Sequence, residues 1–154
     1  DKSIYNKIDV ITFLDVIEHI EDDEAVVKEA YNLLDSGSYL IASVPAYQWL
    51  WSKHDEIHMH YRRYSKREFE KVFKNAGFKV MYSSYFNSIL FFPAALMRFI
   101  EKITQKDNKK DSPIDEVPNF INKLFTFIFR LEKKWIPKVK IPFGLSIVLV
   151  VKKI

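Results

Sequence analysis

The chain has 154 residues, the size of one ordinary domain, and 48% of them are hydrophobic, enough to bury a core. It has no cysteine, which excludes disulfides and thiolate metal sites and suits a reducing, cytoplasmic setting; the N-terminus DKSIYNKIDV lacks the basic-then-apolar pattern of a signal peptide. The net charge of +4 is uneven, with 11 Lys+Arg against 14 Asp+Glu in residues 1–97 and 13 against 6 in residues 98–154, so the C-terminal third is either a solvated basic surface, the commoner case, or a face for anionic lipid or nucleic acid.

Residues 8–14, IDVITFL, form an apolar run rich in β-branched residues. Such a run predicts a strand buried on both faces, as in a parallel sheet. Asp22 or Asp23 then caps a helix reaching about Leu34, with Val26, Ala30, Leu33 and Leu34 as its apolar face. Gly37 suits the turn after it, and YLIASV at 39–44 predicts a second buried strand ended by Pro45. Strand, helix and strand within this span make a βαβ unit.

Residues 46–64 have no clear period and read as a long connection, a feature that is often functional. Three of the four histidines fall in it, at His54, His58 and His60, followed by Arg62, Arg63 and Tyr64. His54 and His58 would share a helix face and His58 and His60 a strand face, so no regular backbone presents all three. The H-E-x-x-H pattern is also absent, and no metal is expected here. The arginine pair offers planar forks for carboxylate or phosphate, and one arginine could instead brace the segment against Asp55 or Glu56. Trp49 and Trp51 suit cover for a pocket or, more simply, packing.

Ser65 and Glu68 form a capping box. Phe69, Val72, Phe73 and Ala76 follow at helical spacing, and Gly77 closes the helix. FKVMYSSYF at 78–86 predicts a third strand. Two apolar helices are expected at about 89–103 and 119–135, joined by the polar, mobile linker TQKDNKKDSP; charges interrupt both, and neither is a membrane span. Packing on the sheet is their default, with dimerisation, an apolar substrate tail or membrane-surface contact as other uses. PFGLSIVLVVKKI predicts a fourth strand. In such sheets ligands sit at the carboxyl ends of the strands, which puts Asp15 to His19, Pro45 onward and Phe86 to Asn87 on one rim.

FLDVIEHI, then LLDSGSYLIASVP, then a loop of the form D-x-x-x-x-H-x-R-R-Y-S before a helix, A-G-F and a strand, resembles the C-terminal half of class I S-adenosylmethionine-dependent methyltransferases. The loop resembles one subgroup. The resemblance implies an α/β fold, a Rossmann-like sheet whose last strand is antiparallel, with an inserted helical pair at 88–140. Residues 1–154 would then be the C-terminal part of one methyltransferase-like domain. The family's Gly-rich cofactor turn has no counterpart here, so the expectation is that the N-terminal half is missing and that this fragment alone is inactive. Ser38 stands where the family has a second glycine.

By the same resemblance the function is methyl transfer from S-adenosylmethionine to a small-molecule acceptor, anionic or lipid-linked. Asp15, Val16 and Glu18 lie beside the cofactor. His60 is the candidate base, and His19 orients the substrate or takes a proton. His54, Asp55, Arg62, Arg63 and Tyr64 form a substrate-side lid. Alternatives accompany each: Asp15 as a helix cap, His19 as a structural histidine, the lid as a polar surface loop. The competing function is a non-catalytic module acting in assembly or at a membrane surface. No nucleic-acid motif is present, and open sheet edges would favour homo-oligomers.

Overall fold

The computed structural model describes residues 8–104, 119–136 and 138–154. Four strands, β1 (Val10–Leu14), β2 (Tyr39–Pro45), β3 (Lys79–Phe86) and β4 (Ser146–Lys152), form one sheet. Five helices accompany them: α1 (Asp23–Leu33), α2 (Lys53–Ile57), α3 (Lys66–Ala76), α4 (Ser88–Thr104) and α5 (Asn119–Lys133). The strand order is β1-β2-β4-β3. β1 runs parallel to β2, with Val10 opposite Tyr39. β4 is inserted antiparallel between β2 and β3, pairing Ser43 and Ser84 with its Val148.

The helix boundaries have local causes. Asp22 caps α1 by accepting the Ala25 N–H at 2.9 Å. Ser65 and Glu68 exchange reciprocal bonds at the start of α3, and Gly77, at φ +108°, takes the left-handed position that ends it. α1 and α3 then press Val27, Ala30 and Leu34, and Phe69, Val72, Phe73 and Ala76, onto Leu40, Ala42 and Val44 of β2 and Ile147, Leu149 and Val151 of β4. Each large side chain among these contributes about 1.5–3 kcal/mol by leaving water. The expected α1 face omitted Val27, which is fully buried.

Three expectations need correction. β1 is not buried on both faces: among the described residues it is the edge strand, with β2 as its one neighbour, and Val10 and Leu14 are 50% and 59% exposed. Residues 46–64, expected as one long connection, contain regular structure. A 3-10 turn (Gln48–Leu50) and α2 lie within them, and paired backbone bonds hold the two ends together: Tyr47 N–H to Tyr64 C=O at 2.8 Å and Tyr64 N–H to Pro45 C=O at 3.2 Å. α4 and α5 do not pack by default. Many of their described apolar side chains face outward, from Phe92 at 61% exposure to Leu96, Leu124 and Phe127. α4 is seated by Phe91, which meets the rings of Tyr47, Trp49 and Phe143. α5 is tied in by Glu132, which accepts from Asn87 N–H, Ser88 N–H and Ser88 Oγ at the start of α4. The linker expected to be mobile lies, beyond Thr104, outside the described residues. Among those residues no helix is long and apolar enough to cross a membrane.

Candidate functional site

The carboxyl ends of β1, β2 and β3 form one rim, and the chain leaves each by a left-handed residue: Asp15 (φ 52°), Tyr47 (φ 60°) and Asn87 (φ 60°). All three are non-glycine residues in a region that favours glycine. A cleft of about 460 Å³ opens along this rim, walled by Asp15, Glu18 and His19 after β1 and by His54, His58, His60 and Arg63 from the connection after β2. Asn87 and, from α4, Ala94 and Arg98 complete it.

The β1 side is acidic. Asp15 N–H donates to the Ser43 carbonyl at 3.0 Å, and Ser43 Oγ donates to Asp15 Oδ1 at 3.1 Å, which fixes the first carboxylate. Glu18 sits in a 3-10 turn (Ile17–His19) at 1% exposure. Both its carboxyl oxygens lack a hydrogen-bond partner. Burial pushes this carboxyl up to about 7, with the charges of Asp15 and Asp55 adding to it and the local backbone and Arg63 offsetting part.

The opposite wall is organised by Asp55, which is fully buried. Its carboxylate accepts from Ser52 N–H (2.8 Å), Ser52 Oγ (3.0 Å), Arg63 Nε (2.7 Å) and Nη2 (3.0 Å), and pairs with His60 Nδ1 (2.9 Å). Burial alone would raise its pKa, but the Arg63 fork and the other donors win and hold it at about 2. Asp55 is therefore ionised and accepts only. His60 Nδ1 must carry the proton, and Nε2 is the ring nitrogen left over. The His60 ring stands edge-on to that of His19, centroids 4.6 Å apart. The Tyr61 N–H donates to the Glu18 carbonyl at 2.7 Å and stitches the two walls together.

Of the residues expected at the site, Asp15, Glu18, His19, His54, His60 and Arg63 line the cleft. Val16 flanks the 3-10 turn without lining it. Asp55 lies behind His60 as its anchor rather than in the cleft. Arg62 and Tyr64 are elsewhere. Arg62 reaches the Glu21 carbonyl (2.6 Å) and Asp23 (3.1 Å) at the start of α1. Tyr64 is a core residue whose hydroxyl donates to Asp23 at 2.6 Å, and burial and that bond push its phenol pKa up. The expected pair of arginine forks is thus split, Arg63 bracing Asp55 and Arg62 bracing α1. Two residues carried no expected role. Gln48 accepts the Arg63 N–H at 2.9 Å. Arg98 is legible in the sequence only as a charge interrupting an apolar helix.

Residues 2–83 match a family model described as a methyltransferase domain. No curated protein sequence matches the chain. Solved structures similar to it include an S-adenosylmethionine-dependent methyltransferase from Mesorhizobium loti, with TM-score 0.55 and 8% identity, covering 96% of this chain and 62% of that one. Another, from Archaeoglobus fulgidus, has TM-score 0.51 and 16% identity, covering 99% and 65%. Phosphoethanolamine N-methyltransferase 2 of Haemonchus contortus, solved with S-adenosyl-L-methionine, has TM-score 0.51 and 15% identity, covering 99% and 36%. The chain therefore spans less than two thirds of each, and what it shares with them is the Rossmann-like fold.

Proposed function

The chain belongs to the methyltransferase-domain family, whose cofactor is S-adenosylmethionine, and from that premise we propose that it carries the acceptor side of methyl transfer to a small molecule. One observation supports this above all: Glu18 and His19 after β1 meet His60 across a cleft at the carboxyl rim of the sheet, where ligands of such sheets bind. The acidic wall suits the donor. Asp15 is fixed by Ser43 and lines the cleft, so with the backbone near Val16 it would hold the positively charged methionine end. When bound, the sulfonium supplies an electrophilic methyl group with a neutral thioether as leaving group.

The protein's own work is then alignment, exclusion of water and handling of the acceptor's proton. His60 is the group we assign to the reacting atom of the acceptor, because Asp55 and Arg63 fix its ring and tautomer. His54 and Arg63 border the acceptor space, and Arg63, already paired with Asp55, borders it as a structural cation rather than a clamp. The subgroup with the H-x-R-R-Y-S loop is the part of the family whose pattern this wall follows. In that pattern the described helices α4 and α5 belong to a helical insertion within one domain.

A thermal shift with S-adenosylmethionine and with its demethylated product tests the reading. A ligand at a hundred times its Kd should stabilise the protein by about 2.7 kcal/mol. No shift with either compound, in every length of the protein that folds, overturns it. Where the domain binds and turns over, His60→Ala should lower kcat while leaving cofactor affinity in place.

A second reading rests on the outward apolar side chains of α4 and α5 beside the basic balance of residues 98–154. It is contact with an anionic membrane surface or an apolar substrate tail. Salt-sensitive co-sedimentation with anionic vesicles supports it, and failure to sediment at low salt removes it.

A further inference from the structure

Glu18 is the unexplained group of this cleft. Its carboxylate is buried, lines the cavity, and has no hydrogen-bond partner for either oxygen. Buried charged groups are normally paired or bound to a cation. Two imidazoles lie beside it. One ligand atom from each of Glu18, His19 and His60 falls within 4.8 Å of the others, and among the described residues this is the one group of donors that converges so.

The surroundings favour a ligand role for His60. An imidazole that binds a metal typically gives its other N–H to a carboxylate, which orients the ring and raises its basicity. His60 does this to Asp55 at 2.9 Å, and Asp55 is itself clamped by Arg63 and Ser52. The Tyr61 N–H to Glu18 carbonyl bond holds the two donor-bearing segments at a fixed distance. His54 and His58, whose rings lie 4.2 Å apart, bring no carboxylate into the same reach.

Resting on the assignment of this cleft to the methyl acceptor, we propose that Glu18, His19 and His60 bind one divalent transition-metal ion through two imidazole nitrogens and a carboxylate oxygen. The mixed nitrogen and oxygen donors suit Zn²⁺, Mn²⁺, Fe²⁺ or Co²⁺ rather than Ca²⁺ or Mg²⁺, which take oxygen ligands. Three protein ligands leave coordination positions open toward the cleft. An acceptor hydroxyl bound there would be acidified and give up its proton to water in the open cleft, while its oxygen, oriented for attack, takes the methyl group as the carbon–sulfur bond breaks and the neutral thioether leaves. His60 is then a ligand that activates the acceptor through the ion. This differs from the sequence expectation, which weighed His54, His58 and His60 and found no regular backbone to unite them. The site uses one of those three and recruits Glu18 and His19 from the other wall.

Cobalt titration of the folded chain, followed by visible absorption and by metal content after gel filtration, tests the site. Wild type should take up one Co²⁺ per chain, displaced by Zn²⁺. His19→Ala removes an exposed side chain without touching the core and should abolish uptake. Asp55→Asn should weaken it by about 10–100-fold where the variant folds. The His54→Ala/His58→Ala pair should bind as wild type. Absence of saturable uptake overturns the proposal, as does uptake that survives His19→Ala but is lost with the His54 and His58 substitutions. Methyl transfer that proceeds unchanged without any metal uptake sinks the ion and leaves the transferase reading standing. Stoichiometric uptake with no cofactor binding does the reverse.

Discussion

Replacing Asp55 by Asn keeps the shape of the side chain and removes its charge. In the structure this carboxylate accepts or shares five hydrogen bonds, from Ser52 N–H and Oγ, His60 Nδ1 and two Arg63 nitrogens, with none of it exposed. The variant would leave the Arg63 guanidinium, itself mostly buried, without its counter-charge. Breaking a buried pair from one side costs about 3–5 kcal/mol. For a domain of this size each kcal/mol moves the melting temperature by about 2–4 °C, so the drop should be about 6–20 °C. Circular dichroism melts of the wild type and of Asp55→Asn measure it. Arg63→Met and the double variant complete the cycle, and the double should lose less than the sum of the singles because no uncompensated charge remains. A loss below about 1 kcal/mol would be that of a surface pair and would refute the argument that Asp55 organises this wall.

Arg62→Ala should lower stability by about 1 kcal/mol, since it releases Asp23 and the Glu21 carbonyl, and should leave the Michaelis constant for the acceptor unchanged. A threefold or greater rise in that constant with no change in melting would return Arg62 to the substrate side. At the start of α3, the Ser65 backbone N–H and hydroxyl hold the Glu68 carboxyl below its ordinary value of 4.5. That stabilisation is present above the ordinary value and disappears as pH falls through the lowered one. Glu68→Gln should therefore cost about 0.5 kcal/mol at pH 7 and nothing at pH 2, read by urea unfolding at both. A cost equal at the two pH values would contradict the charge-based account. At Gly144 an added Cβ would lie 2.1 Å from the Phe86 carbonyl oxygen, so Gly144→Ala must push the β3 end away. A loss of about 1–3 kcal/mol is expected in chemical denaturation, and a neutral variant would show that this junction can yield.

The parts of this molecule legible in the sequence are those decided by neighbours along the chain. The Ser65–Glu68 box, the Phe69–Ala76 face and Gly77 rest on spacings within two helical turns, the βαβ unit on three consecutive segments, and each is found where it was expected. The antiparallel last strand came from the family resemblance rather than from any period, and β4 runs that way. The site divides along the same line. Asp15, Glu18 and His19 follow from the end of a strand. The fates of Arg62 and Arg63 do not. The two residues are adjacent, yet one pairs with Asp23, 39 positions away, and the other with Asp55, eight away. The sequence offers Asp55 or Glu56 as the acid that one arginine could brace, but not which acid or which arginine, because the burial of Asp55 depends on the Arg63 fork closing over it. The same limit explains α4 and α5. Their apolar spacing identifies helices, but whether a partner surface covers them is not a local property.

Tyr47 stands at the carboxyl end of β2 with a left-handed backbone, and its ring stacks on Tyr85 at 5.2 Å and meets Phe91 of α4 at 5.6 Å. The two features make conflicting demands on the amino acid. A positive φ is best tolerated by Gly, Asn and Asp, none of which carries an aromatic ring, while Phe, Tyr and Trp pay for that backbone. Substitution there exchanges one loss for another: a small, permissive residue relaxes the turn and unseats α4, and a bulky β-branched one keeps volume and worsens the turn. The position should therefore be among the least tolerant in a saturation scan of the chain, although it touches neither wall of charged residues. Drift at this rim is then restrained by how the chain turns as much as by what the cleft binds.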